Sequence, residues 1–121
     1  MAKTILAVDD STSIRQLLSS TLTSFGYEVI VAVDGRDGLD KLAETGVDLI
    51  ITDLHMPVMD GIGFVNGIRD IPAYRFVPII VLTTEQRNTL KQAGAAAGAT
   101  AWLAKPFRPE ELMTVIRKVT R

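Results

Sequence analysis

Five short apolar runs, rich in β-branched residues, alternate along this chain with five segments of helical period. The runs cover residues 4–8, 28–32, 48–52, 78–82 and 101–104. Most lack polar alternation, which is the pattern of strands covered on both faces, so they predict a parallel sheet. The first helical segment carries Ile14, Leu17, Leu18, Leu22 and Phe25 as one stripe at steps of three and four, and Gly26 marks its end. The last carries Leu112, Val115, Ile116 and Val119. It opens with Pro109, Glu110 and Glu111, which suit the first turn and the positive end of a helix dipole. Between these, residues 35–44, 61–70 and 86–97 complete the helices. The fourth is the lightest, because Ala93-Gly94-Ala95-Ala96-Ala97-Gly98 brings little apolar bulk and glycine is helix-poor. Its C-terminal half is expected to be the most mobile part of the fold.

Strict β-α alternation with connections of this length implies right-handed crossovers and a doubly wound (βα)5 α/β fold with a five-stranded parallel sheet. Such sheets bind ligands outside the carboxyl ends of their strands, where strand order reverses. Composition narrows the function without changing the fold. At 121 residues the chain is expected to be one domain, 1–121, with no output domain attached. Its 13 basic and 14 acidic side chains leave a formal charge of −1, which argues against non-specific nucleic-acid binding. Cysteine is absent, so disulfide and thiolate chemistry are excluded. The apolar run before Asp9 is too short for a signal peptide, and no segment suits a bilayer span, so a cytoplasmic location is expected.

The strand ends carry the chemistry. Asp9-Asp10 follows the first, Asp53 the third, Thr83-Thr84-Glu85 the fourth and Lys105-Pro106 the fifth; the second ends in Asp34-Gly35, a turn signal. Each has a bland reading when taken alone. Asp9-Asp10 could cap the first helix beside Ser11, Thr12 or Ser13. Asp53 could be a solvated turn residue, Thr83 a strand end, and Lys105 a surface lysine. Together they place three carboxylates on one rim, where one pair at ~4 Å already costs about 4 kcal/mol at an effective dielectric near 20. A cation would relieve that repulsion. Oxygen-only donors favour Mg²⁺ over zinc or copper, and Mg²⁺ keeps sites free for water and phosphate oxygens. One carboxylate would then remain as a nucleophile for phosphoryl transfer, with Lys105 and Thr83 to meet the phosphoryl oxygens.

These residues resemble the receiver domain of two-component response regulators, over essentially the whole chain. The resemblance rests on Asp9-Asp10, on Asp53-Leu-His-Met-Pro-Val-Met-Asp-Gly61, on Val81-Leu-Thr-Thr-Glu85 and on Lys105-Pro-Phe107. It implies a flavodoxin-like strand order 2-1-3-4-5, with Asp53 as phosphoacceptor and Thr83 and Lys105 as its catalytic helpers. Asp10 would ligate Mg²⁺ (or Mn²⁺) directly and Asp9 through water, Asp53 and the His55 backbone carbonyl completing the protein ligands. Thr83 would be the switch hydroxyl and Trp102 the switch aromatic, a position usually held by tyrosine or phenylalanine. His55 and Glu85 fall where the family tunes hydrolysis; the bland alternatives are a rim histidine and, for Trp102, a partly buried core aromatic. The stretch 98–107 with Thr83-Thr84-Glu85 is most similar to CheY-type chemotaxis regulators.

That resemblance implies a CheA-type histidine kinase upstream, the flagellar motor switch or another protein target downstream, a phosphatase, no nucleic acid or membrane, and a monomer. New contacts from Thr83 and Lys105 to a phosphoryl group would supply about 3–6 kcal/mol. Inverting a two-state equilibrium from 1:99 to 99:1 needs about 5.5 kcal/mol, so the two contacts are just sufficient if they form only in the active state. Thr83 would move toward the phosphoryl group and Trp102 would fill its space, reshaping the face of the fourth helix, fifth strand and fifth helix. A relay intermediate or phosphate sink is an alternative use of the same receiver. From other classes come an Mg²⁺-dependent Asp-nucleophile phosphohydrolase, which would want a second Asp where His55 stands, and a flavin mononucleotide carrier, whose phosphate Asp9-Asp10 would repel.

Overall fold

The computed structural model describes residues 3–120. Strands β1 (Thr4–Val8), β2 (Glu28–Ala32), β3 (Leu49–Thr52), β4 (Ile79–Thr83) and β5 (Ala101–Ala104) form one parallel sheet in the order β2-β1-β3-β4-β5. They alternate with α1 (Thr12–Ser24), α2 (Gly35–Glu44), α3 (Gly61–Arg69), α4 (Asn88–Ala97) and α5 (Pro109–Thr120), and a 3₁₀ turn, Pro72–Tyr74, follows α3. The doubly wound α/β fold is the one expected.

The period of two along each strand splits the core into two layers. Ile5, Ala7, Leu49, Ile51, Ile80 and Leu82 face α1 and α5, meeting Leu18, Leu22, Leu112, Met113 and Ile116. Leu6, Val8, Ile50 and Ile79 face the other way, onto Leu42, Phe64, Val65 and Ile68. Strands buried on both faces explain why the runs carry no polar alternation. The α1 stripe is only partly core: Leu18 and Leu22 are buried, whereas Leu17 and Phe25 are nearly half exposed. A five-residue stripe is wider than the line along which this helix meets the sheet.

Boundaries move where side chains compete for the backbone. β3 starts at Leu49, one residue later than expected; at its entry the Asp48 N–H donates to the Thr4 carbonyl and the Asp48 carboxylate accepts from the Thr4 N–H, both at 2.8 Å. Asp34, more than a turn signal, is the N-cap of α2 and accepts from the Asp37 N–H at 2.8 Å. The lightly packed end of α4 is held: Gly98 takes a left-handed conformation (φ 118°), and the amides of Gly98 and Ala99 return to the Gly94 carbonyl. Arg69 Nε and Nη2 add bonds to the Gly98 carbonyl at 3.2 and 2.7 Å. The segment expected to be the most mobile thus ends in a turn held by these hydrogen bonds.

Candidate functional site

Strand order reverses between β1 and β3, since β1 leads outward to β2 on one side and to β3 on the other. The carboxyl ends of these two strands therefore open a crevice. The Asp53 N–H donates to the Val8 carbonyl at 3.1 Å, which carries the β1–β3 pairing one step past the strands. Asp53 thus sits level with Asp9 at the rim. Lys105 arrives in the same way, its N–H donating to the Thr83 carbonyl at 3.0 Å. The Lys105–Pro106 peptide is cis.

Carboxylate oxygens of Asp9, Asp10 and Asp53 lie within 4.8 Å of one another. Asp9 and Asp53 are buried and Asp10 is exposed. Lys105 Nζ reaches between the buried pair, 2.6 Å from Asp9 Oδ2 and 3.0 Å from Asp53 Oδ2. Its side chain is only 11% exposed, so it is no surface lysine. Burial pulls the ammonium's pKa down, but the hydrogen bonds it donates to Asp9 and Asp53 outweigh it, and the net direction is up. The lysine is therefore charged at neutral pH.

The remaining oxygens are held by backbone. Asp53 Oδ1 accepts from the Leu54 N–H at 2.6 Å and from the His55 N–H at 3.4 Å. Asp9 Oδ1 accepts from the Ser11 N–H at 2.9 Å. The capping alternative for the acidic pair falls away here, because the N-cap of α1 is Ser11, whose hydroxyl accepts from the Ile14 N–H. Gly61 closes the floor beneath Asp53. Its N–H donates to the Leu54 carbonyl at 2.7 Å, and a Cβ there would strike the Asp53 carbonyl oxygen and Leu54 Cα. The spacing from Asp53 to Gly61 is thus a packing requirement of the loop after β3. An all-oxygen donor set this compact, with one acid open to water, fits Mg²⁺ better than a softer metal.

Thr83 is the last residue of β4, inside the strand, and is fully buried. Its hydroxyl accepts from the Glu85 N–H at 3.3 Å. His55 and Glu85 meet: the imidazole Nε2 lies 2.7 Å from Glu85 Oε1. The rim histidine is therefore partnered. Trp102 lies by alternation on the α4 side of β5, and its ring packs over Gly94, where a Cβ would come within 3.2 Å of a ring carbon. Lys91 Nζ stands 5.8 Å from its ring centroid, and the buried indole Nε1 has no hydrogen-bond partner among the described residues.

Arg87 is the residue that sequence reasoning missed. It grips Glu85 with two bonds, Nε to Oε2 and Nη2 to Oε1, both at 2.9 Å. The Arg87 side chain and N–H, followed by His55, hold the Glu85 carboxyl far below the usual carboxylate range. The Gln86 and Arg87 N–H groups also donate to Glu85 Oε2, which is why α4 begins at Asn88 and not at Gln86. The one available signal was an arginine two residues after a strand-end acid.

The chain belongs to the response regulator receiver domain family, whose profile matches residues 5–117. Receiver domains of this kind are phosphoacceptors and not conventional enzymes, and the family sets aside both the flavin carrier and the free-standing phosphohydrolase. Within the family, the chain is 39% identical over 116 residues to a probable chemotaxis protein CheY of Rhizobium etli, covering 95% of this chain and 90% of that protein. The solved structure of chemotaxis protein CheY4 from Vibrio cholerae is similar with a TM-score of 0.95 at 50% identity, over 98% of this chain and 99% of that one. A receiver domain of a Pseudomonas aeruginosa sensor histidine kinase, solved with magnesium in its active-site cleft, gives 0.91 at 30% identity over 99% and 98%. The chain is also 38% identical to a probable transcriptional regulator ycf27 of Porphyridium aerugineum, of which it spans about half (48%) while 97% of this chain is covered. No helix among the described residues is long and apolar enough to cross a membrane.

Proposed function

We propose that this response regulator receives a phosphoryl group on Asp53 from a histidine kinase of the CheA type and answers by reshaping its α4-β5-α5 face for a protein target. The observation that carries this reading is Lys105 Nζ placed between the Asp9 and Asp53 carboxylates, with the Asp10 carboxylate alongside. In the transfer, an Asp53 carboxylate oxygen attacks phosphorus and the P–N bond of the donor phosphohistidine breaks; the imidazole leaves with the bonding pair and takes up a proton from solvent. Asp9, Asp10, Asp53 and the His55 carbonyl would hold Mg²⁺, which when bound neutralises charge gathering on the phosphoryl oxygens. Lys105, already charged, can exchange a carboxylate oxygen for a phosphoryl oxygen with little motion. Thr83 donates its hydroxyl proton to a second phosphoryl oxygen as it leaves the Glu85 N–H, and Trp102 follows. His55 and Glu85 tune the later loss of the phosphoryl group to water.

The similarity to chemotaxis proteins supports the flagellar motor switch as target. Intact mass after incubation with a small phosphodonor tests the core of the reading. One phosphoryl group is expected with Mg²⁺, none without it, and none in Asp53→Asn. A wild-type protein that stays unmodified in Mg²⁺ would sink the proposal. Transfer from a CheA-type kinase, followed by binding to a motor-switch protein, tests the partners separately.

A further inference from the structure

Glu85 is the point at which three segments of the site meet. Its side chain is 7% exposed, and its two carboxylate oxygens receive the His55 imidazole, the Gln86 and Arg87 N–H groups, and the Arg87 guanidinium. Its own N–H donates to the Thr83 hydroxyl oxygen. One residue thus links the loop after Asp53, the end of β4 and the entry to α4. The guanidinium comes from the solvent side, 69% exposed, and makes no bond to Asp9, Asp53 or Lys105. Arg87 therefore stands outside the acceptor machinery while holding the residue that contacts two of its members.

This arrangement bears on movement. If Thr83 is to turn toward a phosphoryl group, it must leave the Glu85 N–H or take residue 85 with it. Taking residue 85 along means moving a carboxylate that is fixed at both oxygens. The backbone bonds from Gln86 and Arg87 move with the loop, because they belong to it. The guanidinium belongs to the same loop, so its bond stiffens the loop and does not tether it: its planar fork fits one carboxylate orientation and fixes residues 85 and 87 relative to each other, a constraint a single ammonium would not reproduce.

We propose that Arg87 is a positioning residue for the acceptor site: its grip on Glu85 makes residues 85–87 a stiff turn that aims the carboxylate at His55 and the Glu85 N–H at Thr83, and so limits how readily that turn changes shape to release Thr83 toward Asp53. The inference rests on the acceptor reading above. It is tested with phosphoramidate as donor, saturating Mg²⁺ and about 1 M salt, where a Debye length near 3 Å screens the field of Arg87 on the donor. Uptake in Arg87→Ala is expected to be about two- to fivefold faster than wild type, the scale of an exposed ion pair. Arg87→Lys should fall between them, and Arg36→Ala, which removes an exposed cation from α2, should match wild type. Hydrogen exchange at the Glu85 amide gives a readout independent of phosphoryl chemistry, expected to be faster in Arg87→Ala and partly restored in Arg87→Lys. Unchanged or slower uptake in Arg87→Ala, with wild type modified normally, would overturn the proposal. A wild type that takes up no phosphoryl group would instead remove the acceptor reading, and this inference with it, whatever the amide exchange.

Discussion

Val58 stands in the loop between Asp53 and α3 with φ at 71° and 82% of its surface exposed. A β-branched residue is crowded in that left-handed region, whereas asparagine enters it at small cost. Val58 gives up little packing, so Val58→Asn should stabilise the fold by about 1 kcal/mol, read as a higher urea midpoint with unchanged slope. Glu85 makes a different prediction at the same scale. Its folded pKa is depressed below the ordinary 4.5 by Arg87 first and His55 after it. Its contribution to stability is therefore fully present above pH 4.5 and is lost as pH falls through the lower folded value. Stability of Glu85→Gln should fall less steeply than wild type below that pH, as followed by urea unfolding at a series of acid pH values. Equal slopes would mean that the carboxylate is not selectively stabilised in the fold.

At the scale of elements, α4 is unequal at its two ends. The N-terminal end has no side-chain cap, and its entry is organised around the Glu85 carboxylate. The C-terminal end has the Gly98 turn and the Arg69 guanidinium, which also donates to the Tyr74 and Arg75 carbonyls. Burial lowers the Arg69 pKa, and its bonds to three carbonyls compensate for that desolvation. The helix is thus fixed at Gly98 by bonds from another helix and at Asn88 only by bonds within its own entry loop, which is the asymmetry the proposed switch at Thr83 would use. Arg69→Met keeps the aliphatic stem and removes those bonds. It should cost about 2 kcal/mol and speed hydrogen exchange at Gly98 and Ala99. Protection left unchanged at those amides would show that the glycine turn suffices. The sequence pointed to a weak segment in 93–98 through its alanines and glycines, but the anchor comes from Arg69 on α3, far away in the chain.

For the whole molecule, folding concentrates negative charge at the β1–β3 crevice and answers it with Lys105, the residue after β5. The chain is close to neutral overall, so the effect is local. Removing Lys105 would leave the buried Asp9 and Asp53 carboxylates without their cation. Lys105→Met should therefore lower stability by about 3–5 kcal/mol in metal-free buffer. Mg²⁺ at 100 times its Kd should return about 2.7 kcal/mol if the acids hold it as proposed. Thermal and urea unfolding with and without Mg²⁺ measure both terms. An Mg²⁺ effect that survived the loss of Asp10 and Asp53 would place the ion elsewhere.

The sequence by itself determined the alternation of five strands with five helices, because double-sided burial leaves uninterrupted apolar runs and amphipathic helices leave a spaced stripe. It also determined which polar residues stand at the strand ends, since the residue after an apolar run is fixed by position alone. β1, β2 and β5 agree with their expected bounds, and β3 and β4 differ by one residue. Tertiary structure decided what those residues do to one another. Only the parallel register brings Lys105 between Asp9 and Asp53, across 96 and 52 residues of chain. Only packing decides that Leu17 and Phe25 leave the core, that Trp102 lies over Gly94, and that Arg69 closes α4 from another helix. The Arg87–Glu85–His55 chain falls between these cases. Its arginine and glutamate are near neighbours in sequence, but their bond to His55 required the third and fourth strands to lie side by side.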